Sequence, residues 1–416
     1  MTTSPRIAPA SLRPTAEQLA RFRLARGFAS AAAACGLKPS GRADLALVSA
    51  ERACSAAGLF TTNRVQAAPV VLDRERLAAA ADRVRAVIAN AGCANAVTGP
   101  RGLEDARRTA ALVASRLGAR DDEVLVLSTG VIGVPLDMDK IARGIAALAG
   151  PDASHDAASA AAAITTTDTC SKIAAEDVRL PAGVVELRGF AKGAGMIHPD
   201  MATMLAVITT DVAAPPAALD RALRAAADAS FHAITVDGDT STNDTVLLLA
   251  SGASGVTLDQ GSTAAFGAAL ERVCVALAKQ IARDGEGATR LIEIAVSGAA
   301  NAGQARRVGR TIAGSALVRT AIHGGDPNWG RILAAAGRSG EPIDPARVGL
   351  WFGDGDALQL LERGMPLPFD RAAAAALLRG DPVRVRIDLG LGDAAAVGWT
   401  CDLSADYVRI NADYTT

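Results

Sequence analysis

Several familiar catalytic signatures are missing from the 416 residues: no G-x-S-x-G elbow, no H-E-x-x-H, no G-x-x-x-x-G-K-[ST] and no G-x-G-x-x-G opening a helix. Serine-hydrolase, zincin, P-loop and Rossmann readings lose support accordingly. Histidine is scarce, with only His155, His198, His232 and His323, so a histidine-based triad has few possible members. Aromatic residues make up 3% of the chain, too few for a base-stacking surface. Charge of one sign is lacking as well. Lys plus Arg (43) and Asp plus Glu (44) nearly cancel, and no field favours nucleic acid or an anionic membrane. Nowhere do 18 apolar residues run without a charge, and the N-terminus has no signal-type apolar core, which predicts a cytoplasmic protein that does not enter a membrane. The six cysteines, Cys35, Cys54, Cys93, Cys170, Cys274 and Cys401, contain no C-x-x-C and no His pair at metal-ligand spacing. They are expected to be reduced and mostly buried, with no metal centre. Small molecules are left as the expected partners.

What is present is a large apolar core. With 50% hydrophobic residues and 40 glycines, Ala-rich helical patterns alternate with short Val/Ile/Leu runs, the rhythm of an α/β protein. Strands are predicted at 44–50, 68–72, 84–90, 123–129, 204–210, 245–251, 291–298 and 383–389. Helices are predicted at 103–118, 138–149, 216–230, 263–283, 313–321 and 369–378. Segment 151–169 is the most linker-like in composition, although its end is dense in threonine. Glycine- and Asn/Asp-rich turns follow strands at STGVIG (128–133), DGDTSTNDT (237–245), DGEGATR (284–290) and GGDPNWGR (324–331). Turns of this kind put amides and polar side chains where strands end, a usual place for a site in an α/β sheet, though each taken alone is also a plain tight turn.

One junction stands out, KGAGMIHPDMATMLAVITTD at 192–211. Glycines and Pro199 make the first half irregular, and from Thr203 the text becomes strand-like. Lys192, His198, Asp200 and Thr203 are the residues there with chemistry to offer. A threonine hydroxyl is a poor nucleophile without a base, and one solution is the threonine's own α-amine at a chain N-terminus. Such an amine has a pKa of about 7.7–8.0 and can accept the hydroxyl proton near neutrality. Thr203 is internal, so this mechanism requires a cut between Ala202 and Thr203, made by the hydroxyl attacking its preceding carbonyl. The alternative is an ordinary loop-to-strand junction.

At these residues the chain also resembles the ornithine acetyltransferases of arginine biosynthesis, the bifunctional glutamate and ornithine N-acetyltransferases. The likeness runs in order from AGLFTTN (57–63) through NAGCANAVTG (90–99), GLEDA (102–106), LSTGVIG (127–133), TTDT (166–169), KGAGMIHPDMATML (192–205), VDGDTSTND (236–244), DGEGAT (284–289) and DPNWGRI (326–332) to WTCDLSADYVRINADYTT (399–416). The chain departs from the usual family pattern at Cys93, Asp200 and Ala233, and in carrying His323 before DPNWG; no carried-over site residue is among these.

The resemblance implies an α/β fold of stacked sheets flanked by helices, similar to N-terminal-nucleophile enzymes. It implies self-cleavage between Ala202 and Thr203 into an α chain, 1–202, and a β chain, 203–416, that together form one globule and associate as α2β2. It makes Thr203 the nucleophile, puts Thr129 and Gly130 at the oxyanion hole, and assigns substrate contacts to Thr166, Lys192, Thr203, Glu286, Asn411 and Thr416. Lys192 suits a carboxylate and Glu286 an ammonium. The implied reaction moves acetyl from N2-acetyl-L-ornithine to L-glutamate with no metal or organic cofactor, acetyl-CoA being a possible second donor. Two rivals share some of these features. An N-terminal-nucleophile amidase or aminopeptidase would pass the acyl group to water, and a non-catalytic amino-acid-binding protein would only hold ligand.

Overall fold

In the computed structural model, residues 12–150, 152–198 and 204–413 are described; Pro199 to Thr203 and Tyr414 to Thr416 lie outside them. The strands in chain order are β1 (Phe28–Ala33), β2 (Leu45–Phe60), β3 (Val84–Cys93), β4 (Val124–Val131), β5 (Lys172–Leu180), β6 (Gly183–Lys192), β7 (Leu205–Thr210), β8 (Thr245–Ala250), β9 (Leu291–Ala299), β10 (Gly349–Phe352), β11 (Leu358–Glu362), β12 (Met365–Pro366), β13 (Val383–Asp388) and β14 (Ala394–Cys401). One sheet runs β4-β3-β2-β8-β7-β6-β5 with β1 also on β2, and the other runs β12-β11-β10-β13-β9-β14.

The first sheet folds over on itself because β2 is long and irregular. Its first half pairs with β1 and β3, its register slips between Ser49 and Cys54, and its last six residues pair with β8. Period-2 alternation then sorts the side chains into layers. Leu205 and Val207 of β7 and Leu247 and Leu249 of β8 share a core with Val87, Leu125 and Leu127 of the other half. Their neighbours Ala206, Ile208, Val246 and Leu248 point the opposite way, onto helices Pro216–Asp228 and Thr263–Arg283. On the outer face of the first half, Leu45, Ile88 and Val126 pack against helices Gly99–Leu117 and Met138–Ala147. Helix, half-sheet, half-sheet and helix therefore stack in that order. This is the stacked, helix-flanked α/β architecture that the family resemblance implies. Burial on both faces explains why MLAVITT and TVLLLAS read as unbroken apolar runs.

The second sheet has a core of its own, formed with helices Ala302–Ala313, Trp329–Gly337 and Arg371–Leu377. Helix Thr263–Arg283 joins the two sheets by packing against β5 and β6 as well as β9 and β14. No helix among the described residues is long and apolar enough to cross a membrane.

Three sequence expectations need correction. Segment 68–72 is not a strand but the start of helix Ala68–Ala80; Pro69 fits its first turn, where the missing N–H costs nothing. The helix expected over 313–321 is two helices, since Ser315 caps a new one at Ala316–Gly324 by accepting from the Val318 amide. The linker-like stretch contains helix Ala157–Ala163, capped by Asp156 and buried on its alanine face. Short side chains there let the helix approach β1 and β2 closely.

Candidate active site

The site gathers where the two half-sheets meet at their ends. Lys192 closes β6 opposite Leu205, the first residue of β7. Thr129 ends the buried run of β4. The Lys192 Nζ donates to Thr166 Oγ1 at 2.8 Å and to Thr129 Oγ1 at 3.2 Å. Three of the residues singled out in the sequence thus meet directly. With its oxygen accepting from Lys192, the Thr129 hydroxyl has its own proton to donate elsewhere, as an oxyanion donor must.

Lys192 is only 3% exposed, and burial lowers its pKa. Asp168 opposes that effect. Burial would raise its pKa, but Lys172 and Lys192 hold its carboxyl well below the usual carboxylate range. Asp168 accepts from Lys172 Nζ and the Gly193 amide, each at 2.6 Å, and from the Thr166 amide at 3.0 Å. Lys172 bridges on to Asp284 at 2.6 Å. One buried carboxylate therefore fixes both Thr166 and the residue after Lys192. Asp168 and Asp284 stand in the TTDT and DGEGAT motifs, whose composition alone assigns them no role. The spacing of Asp168 and Lys172, four apart before a strand, was the available signal.

Gly130 has φ +132°, and a Cβ there would lie 2.3 Å from the Gly92 carbonyl carbon. The backbones of β3 and β4 touch at this point, so only glycine fits. Gly130→Ala is expected to cost about 3 kcal/mol or more, measurable by denaturant unfolding; a variant as stable as wild type would contradict the close approach.

Glu286 and Asn411 form a second pair, with Asn411 Nδ2 donating to Glu286 Oε2 at 2.8 Å. Asn411 belongs to helix Ala405–Asp413. The Glu286 amide donates to the Ala194 carbonyl, and a Cβ on Gly195 would come within 2.6 Å of the Glu286 carboxylate. The loop after Lys192 thus joins the two groups. Ala202, Thr203, Asp200 and Thr416 lie outside the described residues. His198 stands beside Thr235, its Nδ1 at 3.1 Å from Oγ1, and His323 pairs with Asp402 at 2.7 Å.

Two carboxyls unmarked in the sequence flank the junction. Asp244 Oδ1 accepts from the Met204 amide at 3.0 Å, while its buried Oδ2 has no hydrogen-bond partner. Burial raises its pKa well above the ordinary range, against the pull of that amide and Lys192. Asp237 accepts from the Met196 and Ile197 amides at 2.5 and 2.8 Å, and burial pushes it up to about 6.

A raised folded pKa means that protonation of Asp237 favours the fold. Its contribution is present below about 4 and is lost as pH climbs through about 6, an effect of up to roughly 3 kcal/mol. Wild type should gain stability over Asp237→Asn as pH falls from 7 to 4, followed by urea unfolding. A constant difference between the two proteins would refute this.

Comparison with known proteins agrees with the motifs. The ArgJ family model matches residues 29–416. The arginine biosynthesis bifunctional protein ArgJ of Parasynechococcus marenigrum is 51% identical over 391 residues, covering 94% of both chains. That of Symbiobacterium thermophilum is 50% identical over 395 residues, covering 94% of this chain and 97% of the relative. A solved arginine biosynthesis bifunctional protein ArgJ from Bacillus halodurans shares 45% identity, covering 50% of this chain and 97% of its own at a TM-score of 0.48. This chain belongs to the ArgJ family.

Proposed function

We infer that the protein is an acetyltransferase of arginine biosynthesis, moving the acetyl group of N2-acetyl-L-ornithine to L-glutamate and releasing L-ornithine. The observation that supports the reading most is the buried Thr129–Lys192–Thr166 cluster beside the start of β7. Thr203, one residue before Met204, is the proposed nucleophile. After self-cleavage at Ala202–Thr203 its α-amine takes the hydroxyl proton as Oγ attacks the acetyl carbonyl. The oxyanion receives the Thr129 hydroxyl proton and the Gly130 amide as hydrogen bonds. Collapse of the tetrahedral intermediate breaks the C–N bond, the proton passes to the departing ornithine amine, and acetyl stays as an ester on Thr203. Glutamate's amine then attacks that ester by the reverse steps, which gives ping-pong kinetics.

Lys192 and Thr166, Glu286 with Asn411, and Thr416 are the proposed contacts for the polar groups of the amino-acid substrates. The Glu286 carboxylate suits an ammonium and Lys192 a carboxylate. No metal or organic cofactor enters this scheme; acetyl-CoA is a proposed second donor. The two cleaved chains are proposed to act in the cytoplasm as α2β2. Intact mass of the purified protein, before and after incubation with N-acetylornithine, tests the scheme. Two fragments, with an acetyl adduct on the one beginning at Thr203, are expected. One intact chain with no adduct would remove Thr203 from it. Comparing glutamate-dependent transfer with hydrolysis separates this reading from an amidase.

A further inference from the structure

A cavity of about 190 Å³ opens beside the loop that carries Thr166, yet neither Thr129, Thr166, Lys192, Glu286 nor Asn411 lines it. Its walls come from Lys38, Arg42 and Ala43 ahead of β2, from the end of helix Ala157–Ala163, and from Thr165 and residues 168–171.

The polar groups around this space are out of balance. Lys38 is 8% exposed, and its Nζ donates to the Ala43 and Ala163 carbonyls, each at 2.8 Å. An ammonium has three N–H groups, so one remains. The backbone beneath it is held firmly, because the amides of Cys35, Gly36, Leu37 and Lys38 all donate to the Asp44 carboxylate. That carboxylate is thereby occupied. Arg42 bonds to Ser40 Oγ at 3.3 Å and has no carboxylate within ion-pair distance among the described residues. Asp168 is the one carboxylate on the cavity wall, and Lys172, Gly193 and Thr166 already engage it. Neither cation facing this space makes a direct ion pair among the described residues; Asp44 and Asp168 act on Lys38 only at longer range, and both are engaged by other donors. Burial first, and then the neighbouring Arg42 charge, push the Lys38 ammonium down to about 8, against the opposing pull of Asp44 and Asp168.

We propose that this cavity is an anion-binding site, which takes the carboxylate of a small organic acid or an equivalent oxyanion between the Lys38 ammonium and the Arg42 guanidinium. Ser171 adds a hydroxyl on the same wall. The volume suits an acid of a few carbons rather than a nucleotide. The site lies outside the acetyl-transfer cluster but shares a loop with it, since Asp168 on its wall carries the amides of both Thr166 and Gly193. An occupant that bears on this wall also bears on the setting of Lys192.

Titration calorimetry on the full chain tests this with glutarate as the carboxylate probe and sulfate as the inorganic one. Saturable binding of either probe to wild type is expected; glutarate alone identifies an organic acid, sulfate alone an inorganic oxyanion. Arg42 is exposed, so Arg42→Ala should fold normally, and it should weaken binding by about tenfold or more through loss of a charged hydrogen bond. Lys38→Met should weaken binding similarly, with melting temperature recorded to confirm folding. No saturable binding of either probe to wild type would overturn the proposal. So would unchanged affinity in Arg42→Ala, or binding that survives Arg42→Ala but is lost in Lys192→Met, which would place the anion in the acetyl-transfer site.

Discussion

Thr203→Ala should leave a single uncut chain whose acetyl transfer is lower by roughly 10⁴-fold or more, the scale seen when a catalytic nucleophile is removed. Both sides of the junction are anchored. Upstream, the Val236 amide donates to the Ile197 carbonyl and Asp237 holds the Met196 and Ile197 amides. Downstream, the Met204 amide is fixed to Asp244, and Leu205 enters β7 between β6 and β8. Met196 has φ +56°, a left-handed conformation uncommon for a side chain of its size. Holding both ends of a short connection restricts the attack of a hydroxyl on the carbonyl next to it, as an intramolecular reaction needs. Gel electrophoresis and steady-state rates read the two effects together. Two fragments from the alanine variant would assign the cut to something other than Thr203.

The second large effect is expected at Thr129. Thr129→Ala removes a hydroxyl whose oxygen accepts from Lys192 and whose proton is the proposed donor to the oxyanion. Loss of one such donor lowers kcat by roughly 10²–10³. The Michaelis constant for N-acetylornithine should change little, because the hydrogen bond strengthens only as charge develops on the carbonyl oxygen. Thr129→Ser keeps the hydroxyl and should recover most of the rate. A normal kcat in the alanine variant would take Thr129 out of the mechanism. Thr129 also lies in a strand core, but a methyl-sized loss there is small beside the expected change in rate.

Much of the chain was legible because its signals are local. The apolar runs of β7, β8 and β9 and the long helix at 263–283 carry their own periodicity, and the motifs around Thr129, Thr166, Lys192 and Glu286 stand in family order. Less legible were β5 and β6, which mix charged and apolar residues because parts of them are exposed, and β14, built largely from alanine, valine and glycine. APVVL misled because a β-branched pair reads as strand wherever it occurs, whereas Pro69 inside a first helical turn decides otherwise.

The sequence by itself determined the family to which the chain belongs and which residues have chemistry to offer: a threonine at a glycine- and proline-rich junction, a lysine before it, and a Thr-Gly pair in the STGVIG turn. Only the tertiary structure decided that Lys192 reaches Thr129 and Thr166 together, that Asp168 and Asp244 act on Lys192, and that Asp237 holds the loop after it. Those contacts depend on the fold-over of the first sheet at β2. A strand buried on both faces shows the same apolar run whichever partner it packs on, and therefore does not record which half-sheet will lie against it.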